Sequence, residues 1–147
     1  TQEQQLEILK TQRDLKLSQT QIKSEQTALK VQNDSISYTA ALVNYQISEY
    51  QYKRQDSLFQ QGLKSLSDLE AKKLKVQETR AKMVAAKNKW LNSQNELISL
   101  QIELSNVQIK FETDYNKIQS DKFSTMSNKL ETETDVSKLE NQYSNYA

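Results

Sequence analysis

This chain has no cysteine, no histidine and no proline, and its single glycine is Gly62. Without histidine or cysteine there is no usual general base at neutral pH, no thiol nucleophile and no common zinc ligand. One glycine excludes a glycine-rich phosphate loop. The lack of cysteine leaves the redox compartment open, since such a chain sits equally well in an oxidising space or the cytosol. No apolar run approaches the ~18 residues needed to span a bilayer. Net charge is +1, so nothing steers the chain strongly toward nucleic acid or an anionic membrane. The aromatics, 7% of the residues, fall in heptad lines rather than on a groove that could stack bases. Among the carboxylates, Glu131 and Asp135 share a helix face and Glu133 points away, a pattern of solvated groups rather than a catalytic pair. The expectation is a protein that is not an enzyme and has no cofactor, metal or nucleic-acid partner.

The chain is only 35% hydrophobic and 27% charged, too polar for a compact globule. Its apolar residues are nevertheless regularly spaced. Proline and glycine ordinarily supply turns, and helix is the regular structure that does without them over 147 residues. Every seventh residue from Ile8 is apolar: Ile8, Leu15, Ile22, Leu29, Ile36, Val43 and Tyr50. So is every seventh from Leu69: Leu69, Val76, Met83, Trp90, Leu97, Leu104, Phe111 and Ile118. Repeats of seven this long predict an all-α fold, a long antiparallel two-helix coiled-coil hairpin.

Largely polar companions accompany each line, Gln12 to Arg54 on the first arm and Lys73 to Gln108 on the second. Facing residue i with residue 123 − i pairs most apolar residues with a polar or small one, Ala40 with Met83 and Asn33 with Trp90 among them. Long polar stems can cover such apolar partners while their heads reach water. That register turns between Gln61 and Gly62, and Ser65-x-x-Asp68 and Ser67-x-x-Glu70 resemble capping boxes that start a second helix. The expected organisation is a first arm over 1–60, a tip turn over 61–65 and a second arm over 66–147. Thr1 would pair near Lys122, leaving the last residues of the second arm unpaired, either continuing or folding back. The chain starts without an initiator Met and reads as a piece of a longer protein.

A further heptad line runs through Val31, Tyr38, Tyr45, Tyr52 and Phe59. It sits two residues after the first line, about 200° round the helix, and is expected to face away from the partner arm. Tyrosine suits half-wet interfaces, so Tyr38, Tyr45, Tyr52 and Phe59 are candidates for self-assembly with a neighbouring hairpin. Solvated tyrosines, or contact with a third helix, would give the same pattern. Charge is polarised as well. Lys64 to Lys89 carries eight basic and three acidic residues, while Trp90 to Ala147 carries five basic and nine acidic ones.

At the turn, Arg54, Leu58, Gly62 and Ser65 form a candidate partner-binding tip. Read as coiled-coil residues alone, Arg54 is a polar seam residue, Leu58 a knob closing the coil and Ser65 a helix N-cap. Arg13, Leu17 and Ser24 repeat the same spacing in mid-arm. The stretch "RQDSLFQQGLKSLSDLEAKKLKVQETRAKMVAAKNKWLNSQNEL" resembles the periplasmic adaptor, or membrane-fusion protein, family of the haemolysin-secretion type. Tips in that family show Arg, three residues, Leu, six residues, Ser, which falls here on Arg54, Leu58 and Ser65. The ending "ENQYSNYA" is similar to the point where such hairpins rejoin a lipoyl-like domain. The resemblance implies a spacer anchored to the inner membrane and lying in the periplasm. Its tip would dock an outer-membrane channel protein, and domains outside this chain would engage an inner-membrane transporter. It also implies a homo-oligomer, typically a hexamer. A purely structural coiled coil or spectrin-like scaffold segment is the alternative, with no special role for the tip.

Overall fold

The computed structural model describes Thr1–Tyr146. Helix α1 runs Gln2–Gln60 and helix α2 runs Leu66–Tyr146, with residues 61–65 between them. No strand occurs among the described residues. The protein is an all-α antiparallel helical hairpin. Each helix start has a side-chain cap: Thr1 Oγ1 accepts the Gln4 amide at 3.2 Å and Ser65 Oγ the Asp68 amide at 3.1 Å.

Backbone contacts divide the chain into two units, Thr1–Thr20 with Glu103–Ala147, and Gln21–Ile102. In the second unit, the α1 residues that α2 covers are Thr27, Asp34 and Ser48, in one heptad line with half-buried Ala41. The α2 residues are Thr79, Ser93 and Leu100, in line with half-buried Ala86. Small side chains here let two helix backbones approach closely. The Ser48 and Thr79 hydroxyls meet at 2.6 Å. Ser48 also contacts the Tyr45 carbonyl at 2.8 Å, and Thr79 the Lys75 carbonyl at 2.9 Å. Two hydroxyl protons serve these three contacts, so one hydroxyl donates across the seam and the other to its own helix.

Large side chains flank this small-residue line. Val31, Tyr38, Tyr45, Tyr52 and Phe59 are all half-buried, as are Leu69, Val76, Met83, Trp90 and Leu97. Tyr38 stacks on Trp90 with ring centroids 5.6 Å apart. The Tyr45 hydroxyl is held above the ordinary phenol value, first by its hydrogen bond to Glu49 and then by partial burial, with Arg80 opposing. At the rim, Lys30 pairs with Glu96 at 3.4 Å, a half-exposed ion pair of the kind that contributes about 0–1 kcal/mol.

These contacts correct the seam expected for α1. The line Ile8, Leu15, Ile22, Leu29, Ile36, Val43 and Tyr50 is exposed, at 45–69% per residue. The line of Tyr38, Tyr45, Tyr52 and Phe59 does not face away from α2; it faces α2 and alternates with the small residues. The register changes with it. Ser48 opposite Thr79 sets residue i against about 127 − i rather than 123 − i, roughly half a heptad of slip. Half a heptad carries the contact from one side of α1 to another. The α2 line from Leu69 lies in the seam as read, but its companions are Thr79, Ala86 and Ser93 rather than the exposed Lys73, Arg80 and Lys87. The physical reason is size. Trp90 and Met83 need flat rings and small neighbours opposite them, and the Tyr and Ser/Thr/Ala lines of α1 supply both.

In the first unit, Arg13 lies over the Phe111 ring at 4.2 Å and also pairs with Asp14 at 2.8 Å. Lys16 meets Glu103 at 3.3 Å, Glu3 meets Lys122 at 3.7 Å, and Gln2 donates to Thr125 at 3.4 Å. The second-arm residues beyond these pairs continue α2 as helix to Tyr146, and from Phe123 to Asn145 every side chain is exposed.

Candidate functional site at the hairpin tip

Helix α1 ends because Gly62 takes φ +76°, a left-handed conformation that a residue with a Cβ adopts only at a cost. The Gly62 amide donates to the Phe59 carbonyl and the Leu63 amide to the Leu58 carbonyl, both at 2.9 Å. These two bonds form a Schellman motif, which satisfies helix-end carbonyls and fixes the exit direction of the chain. Nothing lies within 4 Å of where a Gly62 Cβ would stand, so the glycine is required by its backbone angle and not by crowding. Three residues later Ser65 caps α2, and the Leu69 amide donates to the Ser65 carbonyl at 3.2 Å. The reversal is therefore closed at both ends by hydrogen bonds. Of the two capping-box spacings, the one at Ser65 forms this cap, while Ser67 lies inside α2.

The four tip residues read from the sequence have different surroundings. Arg54 is exposed, and among the described residues no ion pair or side-chain hydrogen bond engages it. Leu58 is half-buried, so it closes the coil while keeping part of its side chain in water. Gly62 and Ser65 shape the turn. The spacing repeat at Arg13, Leu17 and Ser24 lies in mid-helix, where Arg13 is engaged by Phe111 and Asp14.

Two residues that the motif does not contain complete the surface. Leu63 and Leu66 are exposed at 65% and 54%, within a run from Gln61 to Asp68 in which every residue is exposed. Their signal in the sequence is composition. Turn segments are ordinarily polar, and two leucines inside "QGLKSLSD" have no core to fill there. The arrangement offers an apolar end with the Lys64 cation in the turn, on a backbone that cannot easily rearrange, and an exposed Arg54 within the last two turns of α1.

Among the described residues there is no group of three or more acidic side chains placed to hold a metal ion, and no helix long and apolar enough to cross a membrane. Compared with protein-family models, curated proteins and solved structures, the chain matches none.

Proposed function

We propose that this hairpin is the docking and spacer element of a periplasmic adaptor that joins an inner-membrane transporter to an outer-membrane channel in secretion or efflux. The observation that carries the reading is the tip: a turn locked by the Schellman bonds of Gly62 and the Ser65 cap, presenting uncovered Leu63 and Leu66, with an unengaged Arg54 within the last two turns of α1. The resemblance of the stretch from Arg54 to Leu97 supports it. On this reading the protein binds and spaces and does not catalyse, it lies in the periplasm, and the transporter is engaged by domains outside this chain. Apolar side chains at the tip enter grooves between the channel's helix ends, and the guanidinium makes charge-assisted hydrogen bonds there.

The test is capture of an outer-membrane channel protein on immobilised hairpin. Arg54→Asp, and separately Leu63→Ser with Leu66→Ser, are expected to abolish capture while leaving the circular dichroism of the hairpin unchanged. Capture at the wild-type level by both variants would remove the tip from the docking role. The second reading, a structural scaffold segment, is favoured by the exposed aliphatic line on α1, and it predicts that the tip variants change nothing.

A further inference from the structure

Within Gln21–Ile102 the seam buries Thr27, Asp34, Ser48, Thr79 and Ser93, while large aliphatic side chains remain in water on the outer faces of both helices. On α1 the outer line is Ile22, Leu29, Ile36, Val43 and Tyr50; on α2 it is Val84, Leu91 and Ile98. At 3.5 residues per turn these lines lie about 130–180° round each helix from the middle of its seam face, so they occupy the two opposite edges of the pair. The seam register then adds a second fact. With residue i at the height of 127 − i, Leu29 is level with Ile98, Ile36 with Leu91, and Val43 with Val84.

We infer that these edges form an interface between copies of this chain, with the α1 edge of one copy laid on the α2 edge of the next and the tips pointing the same way. A copy displaced sideways, without sliding along the helices, sets Leu29, Ile36 and Val43 directly on Ile98, Leu91 and Val84. The occupant is a second copy because its own opposite edge carries aliphatic side chains at the matching heights. Five large aliphatic side chains on α1, counting Ile47, with Tyr50 beside them at about 100 Å² apiece, supply roughly 600 Å² of the ~800 Å² per partner of a standard interface, and Val84, Leu91 and Ile98 form the apolar centre of the facing edge. The contact joins different surfaces on the two copies, so it propagates into a ring or a filament instead of stopping at a dimer. The inference replaces Tyr38, Tyr45, Tyr52 and Phe59 as the assembly surface, and it holds whether or not the tip docks a channel.

Two edge variants test it by sedimentation. The α1-edge variant carries Leu29→Glu and Ile36→Glu; the α2-edge variant carries Leu91→Glu and Ile98→Glu. The wild-type chain is expected to form species larger than a dimer as concentration rises, and each variant alone to be monomeric. Mixed together, the variants are expected to give a 1:1 complex, because each retains the edge the other lacks. A variant that loses helicity alone is expected to regain it in that mixture. As a second measurement, a chain with Ile36→Cys and a chain with Leu91→Cys are expected to cross-link to each other about tenfold faster than either does to itself. A wild-type chain that stays monomeric at high micromolar concentration overturns the inference. So does an α2-edge variant that associates like wild type, which would assign the contact to α1 against α1.

Discussion

Trp90→Ala is expected to lower the stability of the hairpin by about 2–3 kcal/mol, just below the usual range for buried Trp truncation because Trp90 is only half-buried. Part of that loss is the stack on Tyr38, since such pairs add about 0.5–1.5 kcal/mol beyond area burial. For a chain of this length the change corresponds to roughly 5–10 °C in the unfolding midpoint. Trp90→Phe separates the two contributions. It keeps a ring against Tyr38 and removes the indole N–H, which is buried without an acceptor among the described residues. Its expected effect is close to zero. Thermal unfolding at low concentration, where association does not contribute, reads both values. Equal and small effects for Ala and Phe would mean that Trp90 does not face Tyr38.

Asp34→Leu is expected to act in the opposite direction and raise stability by about 1–2 kcal/mol. Asp34 is 5% exposed, and among the described residues its only charged partner is Lys89, at 3.8 Å and itself largely in water. The second carboxylate oxygen is buried with no hydrogen-bond partner. The carboxylate is thus desolvated with little in return, and a leucine, larger but of the same branched outline, would meet small Ser93 at that height without those losses. Lys89 is left solvated, so the substitution strands no buried charge. Chemical denaturation measures the change. A fall in stability would show that Asp34 has compensating partners and that the polar layer holds the seam together. A carboxylate buried in the seam fits a register-fixing role, the best-attested use of a buried polar group between helices. On that account Asp34→Leu also permits slipped pairings, visible as broadened unfolding.

The hairpin itself was legible because two kinds of signal agree. Heptad lines over both halves demand two helices side by side, and the lone Gly62 supplies the one place where φ can turn positive. Ser65 was legible as an N-cap by its spacing to Asp68, and the amide of Asp68 does bond to it. On α2 the seam line could be read because large apolar residues occupy every position from Leu69 to Ile118. On α1 the heptad pattern points to the wrong face. Two lines there satisfy a repeat of seven, Ile8 to Tyr50 and Val31 to Phe59, and periodicity cannot rank them. The longer, more aliphatic line looks like the seam by hydrophobicity. What decides is the fit of shapes across two helices: flat Tyr38 against Trp90, and Ser48 against Thr79. A hydrophobicity pattern taken along one helix contains none of that. Leu63 and Leu66 were missed for a different reason, since the tip motif counts only an Arg, a Leu and a Ser and ignores what the turn exposes.

The position of the seam links the stability account to the assembly account. If the aliphatic line of α1 faced α2, its large side chains would be covered within the hairpin and the tyrosine line would be turned outward instead. With Thr27, Asp34, Ser48 and Ser93 inside, much of the available apolar burial lies at the edges, at about 1.5–3 kcal/mol for each large side chain that is fully covered.

A pair of cysteines decides between these two seams, and a chain without native cysteine gives a clean background. Ser48→Cys with Thr79→Cys, in dilute solution under mild oxidation, is expected to form an intramolecular disulfide rapidly and nearly completely, because the two native hydroxyls stand 2.6 Å apart. Ile47→Cys with Val76→Cys, the pair that the aliphatic seam would bring together, is expected to remain reduced under the same conditions. Efficient closure of the 47–76 pair while the 48–79 pair stays open would contradict the account.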